Sequence, residues 1–243
     1  MPRQRRGTRP YGRVMLKVSG EAFLGKRAAG IDPLATRRIA QEITQAHRRG
    51  IALAITVGGG NMFRGTAAAQ HGMERTTGDY IGMLATLMNA LALQSALAKE
   101  GVRADVHSAI RTEQIAEPYI RGRALNQLRK RHVVIFAGGT GNPYFSTDMA
   151  AVLRALEMKC DVVLKGTNVD GVYTKDPRRS RGAKKIQILS LLDAVNDPNI
   201  TVIDNSALAL CADHKLPIVV FDLAKPGMLA RVLRGENVGS VLK

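Results

Sequence analysis

Tryptophan is missing from this 243-residue chain, and aromatic residues of all kinds make up only 4% of it. Any core must therefore be built from the aliphatic residues and alanines of a 45% hydrophobic composition. Cysteine is almost as scarce. Cys160 and Cys211 stand far apart with no Cys-x-x-Cys spacing, which argues against a disulfide framework or a zinc site and suits a reducing, cytoplasmic compartment. The basic start MPRQRRGTRPYGR has no apolar run behind it and does not read as a secretory signal. Charge of either sign is absent from Tyr80 to Ala98, about the length of a membrane span. Polar Thr86, Asn89, Gln94 and Ser95 interrupt that stretch, and Asp79 and Lys99 bracket it. It is expected to be a helix buried in a soluble core or at a subunit interface, with no membrane involved. Negative charge is also in short supply: 36 Lys+Arg face 20 Asp+Glu, a formal net charge of +16. Such a surplus fits a nucleic-acid surface, or a surface that attracts phosphorylated small molecules. It is spread over the N-terminus, RGRALNQLRKRH (121–132) and KDPRRSRGAKK (175–185), with no zinc finger, RNA-binding aromatic signature or basic zipper. Nucleic acid is expected at most as a secondary partner.

What the chain has in plenty is alternation of short apolar strands with helices. Arg13–Ser19 and Ile51–Val57 read as strands, as do the segments around Val102–Val106, 132–139, Asp161–Lys165 and Leu216–Asp222. Asp32-Pro33 reads as a helix start, followed by Leu34, Ile39, Ile43 and Ala46 at helical spacing and closed by Gly50. Further helices are predicted over the uncharged stretch, Ile120–Lys130 and Ser146–Met158. This pattern predicts an α/β fold, a largely parallel sheet covered on both faces. The turn-rich segment Gly166–Lys185 is expected to form a β-hairpin or lid.

In such sheets ligands bind beyond the carboxyl ends of the strands. Four predicted strand ends carry glycine turns: Lys17-Val-Ser-Gly20, Gly58-Gly-Gly-Asn61, Gly138-Gly-Thr-Gly-Asn142 and Lys165-Gly-Thr167. Glycine lets backbone amides approach an anion, and one such turn is weak evidence because glycine is common after strands. Four of them with two lysines point to a polyphosphate. No G-x-G-x-x-G follows the first strand, against a dinucleotide site, and GEAFLGKR (20–27) falls one residue short of a P-loop because Arg27 stands where Ser or Thr is required.

The motifs MLKVSGEA (15–22), VGGGNMFRG (57–65), GDYIGMLATLMNALAL (78–93), GGTGNPYFSTD (138–148) and KGTNVDGVYTKDP (165–177), in this order and continuing to DHKLPIVVFD (213–222), resemble the bacterial uridylate kinases of the amino-acid kinase superfamily. The resemblance implies a three-layer αβα sandwich with a mainly parallel central sheet. A single kinase domain would span 13–243, after a basic tail (1–12) expected to be mobile. The N-terminal part would bind the acceptor and the part from about residue 150 would bind ATP. It further implies ATP and UMP as substrates in pyrimidine nucleotide biosynthesis, Mg2+ carried with ATP, a homohexamer, and GTP and UTP as effectors.

Carried over residue by residue, the resemblance places Lys17, Val18, Ser19, Gly20, Gly60 and Arg64 at ATP, with Thr167, Tyr173 and Asp176 about the adenosine. Gly59, Asp79 and the run Thr140, Gly141, Asn142, Pro143, Tyr144, Phe145, Ser146 and Thr147 would hold UMP. Lys17 and Lys165 would be the catalytic cations, with Asp148 orienting them. Gly25, Lys26, Arg27, Ala28, Ala29 and Gly30 would form an effector loop. Each role has a plainer rival. A strand-end lysine can snorkel, Ser146 or Thr147 can cap a helix whose dipole Asp148 complements, and Thr76-x-x-Asp79 can be a capping box. Two other functions remain open: a carboxylate kinase of the same superfamily, and a nucleic-acid-binding regulator.

Overall fold

A computed structural model describes residues 10–63, 72–175, 177, 180 and 182–243. The predicted Arg64 and Asp176, and most of the basic tail, lie outside the described residues. The first strand, β1 (Arg13–Val18), is followed by a 3-10 turn (Gly20–Phe23), α1 (Pro33–Arg48), β2 (Ala52–Val57) and the long α2 (Arg75–Lys99). Then come β3 (Ala104–Ser108), β4 (Glu117–Pro118), α3 (Arg121–Arg129), β5 (Val133–Ala137), α4 (Thr147–Glu157) and β6 (Val162–Thr167). The hairpin β7 (Val172–Tyr173) and β8 (Lys185–Ile186) precedes β9 (Ile188–Leu189), α5 (Leu191–Asn196), α6 (Asn205–His214), β10 (Ile218–Asp222), α7 (Met228–Leu233) and β11 (Ser240–Leu242).

The central sheet runs β4-β3-β5-β2-β1-β6-β10-β11-β9. It is parallel from β4 to β10, and the turn back at β11 is antiparallel. Its central strands are mostly apolar because both faces are covered. Alternation then sorts each strand between two cores. Val14, Leu16 and Val18 of β1 pack with Ile39 and Ile43 of α1 and with Leu87, Leu93 and Leu97 of α2. Met15 points the other way, with Val152 and Ala155 of α4 and Leu208 of α6. The chain is thus the expected αβα sandwich.

Local signals behave as their chemistry dictates. Asp32 caps α1, its carboxylate accepting from the amides of Leu34 and Ala35 at 2.7 and 3.3 Å, with Pro33 at the first helical position. Leu34, however, is 71% exposed and takes no part in the apolar stripe. The strand expected around Val102–Val106 forms two residues later, because Val102 folds back on the end of α2 through a bond from its amide to Leu97. The capping box that Thr76 and Asp79 could have formed, the plainer rival to a ligand role for Asp79, does not form. The helix begins two residues earlier than that box would set it, and Glu74 caps it by accepting from the amides of Thr76 and Thr77 at 2.8 and 2.7 Å. By length and composition α2 could cross a membrane. Its inner face nonetheless packs on the sheet and carries buried, hydrogen-bonded Thr86 and Asn89.

Candidate active site

The four glycine-bearing strand ends lie side by side, since β5, β2, β1 and β6 are consecutive in the sheet. Lys17 and Lys165 are direct register partners on β1 and β6. Both follow the parity of Met15 and so point toward α4. Two like charges directly opposite each other repel, and at 7% exposure each they are also largely stripped of water. Asp148, in the first turn of α4 and 9% exposed, sits between them. Its Oδ1 is 3.0 Å from the Lys17 Nζ, and its Oδ2 accepts from the Lys165 Nζ. Ser146 sets the start of that helix, its Oγ accepting from the amides of Asp148 and Met149 at 3.2 Å each. Asp148 therefore serves the helix start and the lysines at once.

Burial alone would raise the Asp148 carboxyl, but the ammonium groups of Lys17 and Lys165 outweigh it and hold it at about 2. Burial pushes Lys165 down, with the charge of Lys17 adding to it against the pull of Asp148. Two cations sharing one carboxylate leave an uncompensated positive charge at the base of the site, which an anion from solvent can satisfy.

Two cavities open above this triad. The first, about 470 Å³, is lined by Lys17, Ser19, Gly20, Lys165, Thr167 and Tyr173, with Lys175 and the 199–202 segment completing its wall. The second, about 520 Å³, is lined by Asp79, Tyr144, Phe145 and Ser146 together with Arg75, Gly82, Asp204 and Ser206. They share Gly59, Gly60 and Thr147. The Asp79 carboxylate accepts from the Arg75 Nε at 2.9 to 3.0 Å and from the Tyr144 amide at 2.8 Å, and the guanidinium lies 5.4 Å from the Tyr144 ring centroid.

The glycine turns do more than offer amides. The Gly58 amide donates to Val18 O, the Ser19 amide to Gly166 O and the Gly138 amide to Thr86 Oγ1, so these three amides join the turns to one another and to α2. Glycine is demanded by contact between turns: a Cβ at Gly20 would stand 2.5 Å from the Gly60 nitrogen, and one at Gly58 would stand 2.8 Å from the Gly20 nitrogen.

Not every expected residue reaches a cavity. The Val18 side chain is fully buried in the core. Thr140, Gly141, Asn142 and Pro143 line neither cavity, and Thr140 closes its own turn, its Oγ1 accepting from the Asn142 amide at 3.2 Å. Gly25 to Ala29 form an exposed loop away from both. Arg75, Lys175, Asp204 and the 199–202 wall were not singled out from the sequence. Arg75 was within reach as an i,i+4 partner of Asp79, and Asp204-Asn205-Ser206 as a helix start. Among the described residues no group of three or more His, Cys, Asp or Glu side chains gathers to hold a metal.

Two cavities meeting over a desolvated lysine pair, on an open parallel sheet, define a phosphotransferase. The model of the amino acid kinase family matches residues 12–222. A uridylate kinase of Dichelobacter nodosus is 50% identical over 96% of this chain and 96% of its own. One of Cereibacter sphaeroides is 53% identical over 93% of this chain and 92% of its own. The crystal structure of the UMP kinase from Bacillus anthracis superposes with a TM-score of 0.92 at 39% identity, covering 97% of each chain. The chain belongs to the amino acid kinase family and, within it, to the uridylate kinases.

Proposed function

We propose that the chain transfers the γ-phosphate of ATP to UMP, giving ADP and UDP, in pyrimidine nucleotide synthesis. The observation that carries this is the meeting of the two cavities at Gly59, Gly60 and Thr147, beside the Lys17–Asp148–Lys165 triad. ATP occupies the first cavity, its adenosine toward Thr167 and Tyr173 and its phosphates over the lysines. UMP occupies the second, its phosphate toward Gly59 and Thr147. An oxygen of that phosphate attacks the γ-phosphorus in line, the bond to the bridging oxygen breaks, and ADP leaves. The nucleophile is already anionic, so no proton relay is required, and catalysis is positioning plus charge stabilisation by Lys17 and Lys165.

Mg2+, which we assign as the divalent cation, would arrive with ATP and would supply charge neutralisation on its phosphates; both Asp148 oxygens already face lysines, so phosphate and water would hold it in the main. Asp79 keeps lone-pair capacity beyond Arg75 and Tyr144 for the ribose hydroxyls. A carboxylate acceptor without a ribose would have no use for Asp79 in this cavity, which argues against the carboxylate-kinase alternative. Arg64 and Asp176 keep their proposed places at ATP. Tyr80, Leu84 and Met88, each about half exposed along α2, suit burial in a hexamer, and the loop 25–30 suits an effector such as GTP, with UTP as the opposing nucleotide. Free, buried Cys160 and Cys211 suit the cytoplasm.

A coupled assay offering ATP with UMP, CMP, AMP or N-acetylglutamate tests the reading. UMP should be turned over preferentially, and turnover of N-acetylglutamate without UMP would overturn it. DNA retention persisting at physiological salt would instead favour the nucleic-acid reading.

A further inference from the structure

Two buried amides lie behind the phosphate turn and line neither cavity. Asn61, 4% exposed, ends the VGGGN turn, and Asn89, fully buried, sits midway along α2. They face each other as a reciprocal pair: Asn61 Nδ2 donates to Asn89 Oδ1 at 2.9 Å, and Asn89 Nδ2 donates to Asn61 Oδ1 at 2.6 Å. The second hydrogen of each is also used. Asn61 donates to Gly30 O at 2.9 Å, and Asn89 donates to Gly58 O at 2.7 Å. All four N–H groups are therefore spent on fixed partners. One turn earlier on the same helix, Thr86 Oγ1 accepts from the Gly138 amide at 2.7 Å. The inward face of α2 thus grips the turn after β2 and the turn after β5 together.

We propose that Asn61 and Asn89 are positioning residues for phosphoryl transfer. They set the orientation of the peptide units from Gly58 to Asn61, and with them the Gly59–Gly60 edge where the two cavities meet. A packing role alone needs no such pairing, since an apolar side chain would fill the same space without leaving donors to satisfy. The arrangement leaves the turn little freedom on its far side. A Cβ at Gly20 would lie 2.8 Å from Asn61 Oδ1, so the amide pair backs directly onto the β1 turn as well.

This inference rests on the kinase reading of the two cavities. Its test compares wild type, Asn89→Ala and Leu93→Ala, the last a fully buried core position one turn further along the same helix. Both variants lose stability. Asn89→Ala should also lower kcat by ~10- to 100-fold with the KM values for ATP and UMP changed less than about threefold, the mark of lost transition-state positioning. Leu93→Ala should keep kcat within about twofold of wild type at a temperature where both are folded. Equal kinetic losses in the two variants, or none in Asn89→Ala, would overturn the proposal.

Should Asn89→Ala fail to fold, Asn89→Asp serves in its place. It keeps the shape of the side chain and regains a donor only when protonated. Its kcat should rise as pH falls, through an ionisation missing from wild type and from Leu93→Ala. A profile matching wild type would overturn the proposal. If wild type itself leaves UMP unphosphorylated, the kinase reading has failed; if wild type is active and Asn89→Ala matches it, only this inference has.

Discussion

Asp148→Asn removes the single negative charge between Lys17 and Lys165 with almost no change in shape. The cost follows from how firmly the folded protein holds that charge. The carboxyl is held at about 2 against an ordinary 3.8, a gap worth about 2 to 3 kcal/mol of folding free energy. This is a little below the ~3–5 kcal/mol seen when one member of a buried ion pair is deleted, as suits an amide that keeps some dipolar contact. For a chain of this length it corresponds to a melting temperature lower by about 5 to 10 °C. The sign with pH is fixed. A depressed carboxyl contributes stability that is full above its unfolded value near 4 and is lost as pH falls through about 2, so wild type should show no loss from this group between pH 5 and 8.

Turnover in the variant should behave differently. Lys165 is already pushed down by burial, and without the carboxylate it falls further. In Asp148→Asn the Lys165 ammonium is therefore disfavoured relative to wild type, and lowering the pH favours it again. We expect kcat to drop ~100-fold and to rise again as pH is lowered, while UMP affinity, read by isothermal titration, stays close to wild type. Differential scanning calorimetry and steady-state kinetics across pH read both effects. A variant with wild-type melting temperature and a pH profile parallel to wild type would refute the idea that Asp148 holds the two ammonium groups in place.

Gly20→Ala should lower turnover at least ~100-fold, because the new Cβ meets the Gly60 backbone nitrogen at 2.5 Å and the phosphate turns must separate. Gly122→Ala on α3, where nothing lies within 4 Å, should leave kinetics unchanged and raise stability by ~0.5–1 kcal/mol. Equal effects of the two in a kinetic and melting comparison would refute the contact argument. Replacing Leu84 and Met88 together by Glu should break the proposed assembly, since both are about half exposed on one face of α2 and charge is depleted from interface cores. Sedimentation velocity would read the change, and an unaltered mass would remove this face from the interface.

The fold was legible because its signals are local. Apolar runs with glycine ends mark the buried parallel strands, and Asp32-Pro33 marks the start of α1. Where a local signal misled, a neighbour competed better. Glu74 reaches the amides of Thr76 and Thr77 in place of the capping box that Thr76 and Asp79 could have formed, leaving Asp79 to pair with Arg75 and hold the Tyr144 amide. The site was legible only as far as each turn announces itself. The 199–202 wall belongs to no glycine turn and reaches the first cavity through the packing of α5 on α6 and of α6 on α4, so no spacing rule reports it.

The near-P-loop at GEAFLGKR shows the same limit from the other side. Its Lys26 is exposed in a loop outside both cavities, whereas the lysines that line the first cavity, Lys17 and Lys165, come before their glycines. A P-loop brings its lysine to the phosphate by local geometry, after the glycine turn and at the start of a helix. Here the cations come from two strands distant in sequence and adjacent in the sheet. The fold must therefore supply the compensating carboxylate from a third element, and α4 does so with Asp148. On the proposed mechanism the paired charge that acts in catalysis exists only once β1, β6 and α4 have docked, so damage to that docking should appear in turnover as readily as in stability.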